Sequence, residues 1–221
     1  MTADLMQLRD EVLRAALPHI AFDGWTNRAM RRGASDLQLD RTEADRAFPY
    51  GAADMIGHYN DLLDRDMLSE LDRRSIDQMK VRDRITTAVR VRLELAARHK
   101  EAVRRAVAVL ALPVNARTAT TSLYRTVDRI WIAAGDTATD WNFYSKRALL
   151  AGVYTSTGLY WLNDKSDGAA DSWAFLDRRI ADVMRIPSIP GRLRSVFERL
   201  PAPLAGCLPR GGSAFRPRTG S

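Results

Sequence analysis

Along most of the chain, apolar residues recur at intervals of three and four, the spacing that places them on one face of an α-helix. The pattern predicts helices over residues 5–17, 26–35, 41–48, 52–70, 75–98, 103–110, 121–134, 141–162 and 171–184. Pro18 is expected to end the first helix, and Gly33-Ala34-Ser35 to form a turn before the third. No segment alternates apolar and polar residues as a strand does, so the sequence predicts an all-α protein.

The helical pattern stops after residue 186, where prolines, glycines and arginines dominate. This composition predicts a flexible C-terminal tail over residues 187–221. Within the tail, residues 191–200 place apolar side chains on one face and arginines on the other, which predicts a short amphipathic helix at a membrane surface or docked on the body. Its candidate membrane-contact residues are Arg192, Leu193, Arg194, Val196, Phe197 and Leu200.

Charge is distributed unevenly along the chain. The net charge is +7, and residues 185–221 hold seven basic residues against one acidic residue, or +6, which leaves the body close to neutral. The tail is therefore the segment suited to an anionic partner. Acidic residues near the N-terminus fit neither a secretory signal nor a transit peptide, and no apolar run is long enough to cross a bilayer. A cytoplasmic protein is expected, with a tail suited to peripheral association with a membrane.

Catalytic patterns are missing from the sequence. The three histidines lie far apart, no Glu-x-x-His pair occurs, and Cys207 is the only cysteine. Phosphate-binding glycine motifs and a nucleophile elbow are also missing. These observations predict a protein without catalytic residues, metal or cofactor.

Residues 1–50 place three short helices in the order of a helix-turn-helix. This arrangement resembles the tetracycline-repressor-like regulators, in which the third helix enters the DNA major groove. Here that helix reads Asp40-Arg41-Thr42-Glu43-Ala44-Asp45-Arg46, with three acids against two arginines. Acids disfavour contact with a polyanion, so the fold is expected without nucleic-acid binding.

Residues 148–162 form a predicted helix that carries no charge over fifteen positions. A helix that is apolar or small on all sides is enclosed by protein or ligand. Its glycines, alanine and serine leave room between larger side chains, as the wall of a ligand cavity would. A central core helix and a dimer seam remain alternatives.

The block from residue 110 to 184 carries a specific motif. Gly135-Asp136-Thr137-Ala138-Thr139-Asp140-Trp141-Asn142-Phe143-Tyr144-Ser145-Lys146-Arg147-Ala148 follows Val127-Asp128-Arg129-Ile130-Trp131 and precedes Trp173-Ala174-Phe175-Leu176-Asp177. Together with Asp23-Gly24-Trp25-Thr26, this block resembles the lipid-binding accessory protein family of ubiquinone biosynthesis, the ninth member of the Coq set.

The resemblance implies a tetracycline-repressor-like helical bundle with a degenerate helix-turn-helix. Residues 1–50 would form the helix-turn-helix-like part and residues 51–186 the lipid-binding bundle. The family holds an isoprenoid quinone precursor or a phospholipid in an apolar cavity and presents the precursor to a di-iron hydroxylase. It also meets the membrane through a C-terminal amphipathic helix. Its fold leads us to expect a homodimer paired through the last long helices.

Site residues follow from the resemblance and from side-chain chemistry. The lipid-binding candidates are Trp131, Leu149, Val153, Tyr154 and Trp161, each of which also suits an ordinary core. The partner-binding candidates are Asp140, Trp141, Asn142, Phe143, Tyr144 and Arg147, since aromatic and charged residues concentrate at interface hot spots. Asp140 also suits a helix cap. A ligand-responsive transcription regulator remains the alternative function.

Overall fold

The computed structural model describes residues 3–136 and 141–185, with side chains for residues 4–136 and 145–183. The described residues form nine α-helices: α1 (Ala3–Asp23), α2 (Asn27–Asp36), α3 (Arg41–Ala47), α4 (Ala52–Arg73), α5 (Val81–Ala96), α6 (Lys100–Leu110), α7 (Ala116–Ala133), α8 (Trp141–Asn163) and α9 (Ala170–Arg185). The prediction of an all-α fold is confirmed. The predicted tail helix, including Arg192, Leu193, Arg194, Val196, Phe197 and Leu200, lies outside the described residues.

Two predicted helix boundaries are wrong. Pro18 lies inside α1, which continues to Asp23. Proline removes one helical hydrogen bond, but Leu17 and Ile20 beside it are buried in the core, and this packing offsets the loss. The predicted helix over 75–98 is interrupted, because Ser75 is left-handed at φ 49° and a 3₁₀ turn at Ile76–Gln78 precedes α5.

The segment Gly33-Ala34-Ser35 is also helical, not a turn. Gly33 lies within α2, where a Cβ atom would stand 2.4 Å from the backbone nitrogen of Ala16 in α1. The residue is glycine because α1 and α2 cross with their backbones almost in contact. The glycine therefore sets the packing of the N-terminal helices and not a chain reversal.

α4 occupies the centre of the bundle and packs against α5 and α7, while α8 packs against α7 and α9. The N-terminal helices join this bundle through buried side chains. The indole nitrogen of Trp25 donates a hydrogen bond to the carbonyl of Ala102 in α6 at 2.8 Å, and its ring lies 5.5 Å from that of Tyr59 in α4. One core thus extends from α1 to α9.

Candidate functional site

A cavity of about 200 Å³ lies among α4, α5, α6, α7 and α8. Most of its lining is aliphatic or aromatic. The apolar lining residues are Leu63, Leu93, Ala96, Val103, Ala106, Val107, Leu110, Ala119, Leu123, Leu159, Trp161 and Leu162. Val107 and Leu159 are 38% and 47% exposed, so the cavity reaches the surface between α6 and α8. Such a concavity is suited to an apolar ligand.

One side of the cavity is polar. Its centre is Arg92 of α5, which is 3% exposed and donates from Nε to Asp64 of α4 at 2.8 Å. The same guanidinium bonds the hydroxyl of Tyr154 and the amide oxygen of Asn60, the latter at 3.1 Å. We call Tyr59, Asn60, Arg92 and Tyr154 the polar wall. The cation of this wall is therefore paired with a fully buried carboxylate.

Tyr59 gives the polar wall a free hydroxyl. The residue is 3% exposed, and its hydroxyl has no hydrogen-bond partner among the described residues. Burial raises the pKa of Tyr59, and burial likewise raises the pKa of Tyr154, so both hydroxyls stay protonated at neutral pH. An unpaired buried hydroxyl is costly, and a ligand oxygen that accepts from it would remove that cost.

The sequence patterns described above do not identify Arg92 or Asp64 as buried site residues. A signal was present nonetheless. Arg92 falls three residues after Val89 and four before Ala96, on the face of α5 that is buried in the structure. A charged residue at a core position is buried only when it is paired. The partner was a carboxylate 28 residues away, which periodicity does not identify.

The structure separates the predicted lipid-binding residues. Tyr154 and Trp161 line the cavity. Trp131, Leu149 and Val153 do not: Val153 is packed in the core, and Leu149 is 37% exposed on the outer side of α8. The indole of Trp131 donates to the carbonyl of Lys146 at 3.2 Å and so joins α7 to α8. The four candidates of α8 lie on different faces of that helix, which the absence of charge in the sequence does not indicate.

The predicted partner-binding residues also divide. Asp140 lies outside the described residues, and Trp141, Asn142, Phe143 and Tyr144 form the first turn of α8 without described side chains. Arg147 is not on an outward face as predicted. It is 3% exposed and bonds Asp128 of α7 at 2.7 Å, with Asp136 at 3.5 Å. These carboxylates draw Arg147 inward, where it fixes the start of α8.

In the helix-turn-helix-like part, arginine side chains form ion pairs with carboxylates of the same part. Arg31 of α2 contacts Asp45 of α3 at 3.0 Å, and Arg32 contacts Asp23 at 2.6 Å. At the start of α3, Asp40 accepts from the amide of Glu43 at 2.8 Å, and the Glu43 side chain accepts from the amide of Asp40. The acids of α3 therefore cap that helix and form ion pairs with arginines. Arginines that are paired in this way are less available to bind DNA phosphate.

A second, wider cleft of about 480 Å³ lies between α1, α4 and α7, and most of its charged groups form ion pairs. Arg9 contacts Asp54 at 2.6 Å, and Arg125 contacts Asp61 at 3.6 Å. Within the described part of the chain, no three carboxylate, histidine or cysteine side chains converge as metal ligands. No helix of that part is both long and apolar enough to cross a bilayer. The first cavity is thus the candidate site.

Comparison with known proteins gives consistent results. The COQ9 family model matches residues 116–187. The chain is 34% identical over 212 residues to the mitochondrial ubiquinone biosynthesis protein COQ9 of Rattus norvegicus, covering 90% of this chain and 66% of that protein. The human protein is 33% identical, with 90% and 65% covered. The COQ9-B protein of Xenopus laevis is 30% identical over 207 residues, with 90% and 70% covered.

The fold has a counterpart among solved structures. A TetR transcriptional regulator from Nitrosomonas europaea superposes with a TM-score of 0.66 at 19% identity, covering 80% of this chain and 98% of that one. The predicted tetracycline-repressor-like fold is confirmed. The chain spans about two-thirds of the length of the rat and human relatives. The motif, the fold and the extent of identity together show that this chain belongs to the COQ9 family.

Proposed function

We propose that this protein is a non-catalytic accessory protein of ubiquinone biosynthesis that binds an isoprenoid quinone precursor in the cavity between α4 and α8. The carrying observation is the apolar cavity with a polar wall at Arg92. A prenylated ring has a corresponding division into an apolar body and a few ring oxygens. Burial of each CH₂ contributes about 0.8 kcal/mol, so even part of a prenyl chain gives a strong driving force.

The polar wall suits a neutral oxygen better than a phosphate. Tyr59 and Tyr154 are protonated hydroxyls, and Arg92 is paired with the buried carboxylate of Asp64. A phosphate bound at this wall would lie beside that carboxylate, and a second buried negative charge there is costly. A volume of about 200 Å³ accommodates a ring-sized group. The rest of a prenyl chain would leave between Val107 and Leu159.

Family membership supports the remaining parts of the proposal. The relatives are named as ubiquinone biosynthesis proteins of mitochondria. We propose that the start of α8, with Trp141, Asn142, Phe143 and Tyr144, contacts a di-iron quinone hydroxylase, and that residues 191–200 meet a membrane surface. Homodimerisation, peripheral association with the inner membrane and the absence of a cofactor are part of the same proposal.

Solvent extraction of the purified protein followed by mass spectrometry tests the ligand. We expect a polyprenyl quinone or its ring precursor in stoichiometric amount. Phospholipid alone would replace the proposed ligand with a lipid, and an empty extract from protein purified without detergent would overturn the proposal.

Affinity capture tests the partner. Phe143→Lys combined with Tyr144→Lys should weaken association with the hydroxylase by about tenfold or more, because buried aromatic residues carry much of an interface's binding energy. The helical circular dichroism should not change. If the double variant captures the hydroxylase as well as the wild type does, the start of α8 is not part of the interface.

The alternative function is a ligand-responsive transcription regulator, which the fold relationship to a TetR regulator favours. Titration with duplex DNA at low salt separates the two functions. The ion pairs of Arg31 and Arg32 lead us to expect only weak binding. Tight, sequence-dependent binding that falls steeply with salt would establish the regulator instead.

A further inference from the structure

The connection between α6 and α7 exposes an uncharged apolar segment. Residues 106–116, AVAVLALPVNA, contain no charged side chain. Within this segment Val107, Leu112 and Val114 are 38%, 52% and 85% exposed. We call residues 106–116 the apolar corner. Several large apolar side chains exposed in one short segment mark a surface that meets another apolar phase.

The apolar corner is held in a fixed conformation. The amide of Asn115 donates to the carbonyl of Leu112 at 2.9 Å, and its side-chain amide donates to the carbonyl of Val109 at 2.8 Å. Leu112 in turn donates its amide to Val109 at 3.3 Å. The turn closes on itself through its backbone and leaves its apolar side chains outward. Their exposure is therefore a property of the folded turn.

Basic residues surround the apolar corner. Residues 98–117 contain five basic side chains against one acid, Glu101, for a net charge of +4. Arg104 and Arg105 precede the corner and Arg117 follows it directly. Glu101 pairs with Arg105 at 3.1 Å and lies 3.5 Å from Arg104, so it neutralises only part of this charge. Apolar residues at the tip with cations behind them are the composition of a segment that enters an anionic leaflet.

The apolar corner is continuous with the opening of the cavity. Val107 belongs to the corner and also lines the cavity, as does Leu110. A ligand that passes beside Val107 would move between bilayer and cavity without exposing its prenyl chain to water. Each exposed CH₂ would cost about 0.8 kcal/mol along a path through solvent.

We infer that the apolar corner inserts into an anionic membrane leaflet and places the opening of the cavity at the bilayer. Leu112 and Val114 enter the leaflet, while Arg105 and Arg117 contact lipid phosphates. Arg104 is instead held by the carbonyl of Leu162 and the side chain of Asn163 at the end of α8. The inference rests on the proposed function only in that the cavity takes an apolar ligand. It places a membrane contact within the bundle, separate from residues 191–200.

Vesicle flotation with the full chain tests this surface. Leu112→Glu combined with Val114→Glu should lower the partition onto phosphatidylcholine vesicles containing phosphatidylglycerol by about tenfold or more, since two apolar insertions are lost. The control, Phe22→Glu combined with Tyr50→Glu, also replaces two exposed apolar residues and adds the same charge. It should bind nearly as the wild type does. Equal loss in both double variants, or no loss in the first, would overturn the inference.

A fluorescent label locates the contact directly. Val114→Cys in a Cys207→Ser background accepts one environment-sensitive label, because the chain has one native cysteine. Its emission should shift to the blue on anionic vesicles, whereas a label at Tyr50→Cys should not shift. If the label at position 114 does not shift on vesicles that the protein does bind, the inference is overturned. That result would indicate that the apolar corner contacts a protein partner instead.

Uptake of a water-soluble short-chain quinone, followed by quenching of tryptophan fluorescence, separates this inference from the proposed function. If the wild type shows quenching and the corner variant floats unchanged, only the inference about the membrane surface is contradicted. If the wild type shows no quenching and the corner variant floats less, the quinone proposal is contradicted and the membrane surface is supported.

Discussion

Asp64 joins three helices of the bundle, α4, α5 and α7, through a single carboxylate. It has no exposed surface, and it accepts from Arg92 at 2.8 Å and from the hydroxyl of Thr126 at 2.9 Å. Arg125 and Arg129 of α7 approach it at 3.4 Å. Removing one member of a buried ionic cluster leaves the others desolvated and unpaired, and that cost exceeds the loss of the contact itself.

Asp64→Ala should therefore lower the free energy of unfolding by about 3–5 kcal/mol in urea denaturation. The control is Asp66→Ala on the same helix, where the side chain is 47% exposed and lies 3.9 Å from Arg14. That change should stay within about 0.5 kcal/mol. If both variants unfold at the same urea concentration, the buried cluster has no special role in stability.

A change at Tyr59 should affect stability and ligand affinity in opposite directions. Tyr59→Phe removes a hydroxyl that has no partner among the described residues, so the ligand-free protein should gain up to about 1 kcal/mol of stability. Affinity for a short-chain quinone should fall by about fivefold to tenfold, because a hydrogen bond to the ligand is lost. Tyr160→Phe, at a residue stacked on Phe175 outside the cavity lining, serves as control. If Tyr59→Phe binds the quinone with unchanged affinity, the polar wall does not take part in ligand recognition.

At the scale of elements, α8 has two different faces. Leu150, Val153, Thr157 and Trp161 are buried, whereas Leu149, Leu159 and Tyr160 are more than a third exposed. The absence of charge along residues 148–162 predicts a helix enclosed by protein or ligand, and within this chain one face of the helix is exposed. Exposure of the second face depends on which neighbours the bundle supplies, and α7 and α9 cover only one side.

Glycines on the two faces of α8 give a matched pair of variants. Gly158 lines the cavity and Gly152 does not, and a Cβ atom at either meets nothing within 4 Å. Gly158→Met should fill the cavity and reduce quinone uptake by about tenfold, while raising helix stability by about 0.5–1 kcal/mol. Gly152→Met adds the same side chain outside the cavity lining and should leave uptake normal. Equal uptake by both variants would place the ligand elsewhere.

For the whole molecule, the exposed face of α8 leads us to expect a dimer through α8 and α9. Apolar side chains on that face are solvated in one subunit and would be covered in a pair. Gly152→Arg should convert the dimer to a monomer in sedimentation velocity, because a charged side chain would be buried at the seam. Ala108→Arg, at an exposed small residue of α6, is the control and should remain dimeric. A monomeric wild type would contradict the expectation.

Several elements were predictable from sequence because their determinants are local. The helices α2, α3, α4, α8 and α9 follow from apolar spacing and from breaks at glycine and proline. The motif at residues 135–148 carried the family, since its order of aromatic, acidic and basic residues is specific. Pro18 and Gly33 were misread, because their surroundings are supplied by α1 and α2 packing together.

The sequence by itself determined the helical class, the family and the balance of acids and arginines in α3. Each rests on residues that are near one another in the chain. Tertiary structure alone decided the site. In the folded chain Arg92 pairs with Asp64, and Tyr154 and Trp161 line the cavity. Leu149 is partly exposed and Arg147 is buried. The reason is physical: burial and charge pairing join residues far apart in the chain, so no local pattern records which side chains meet.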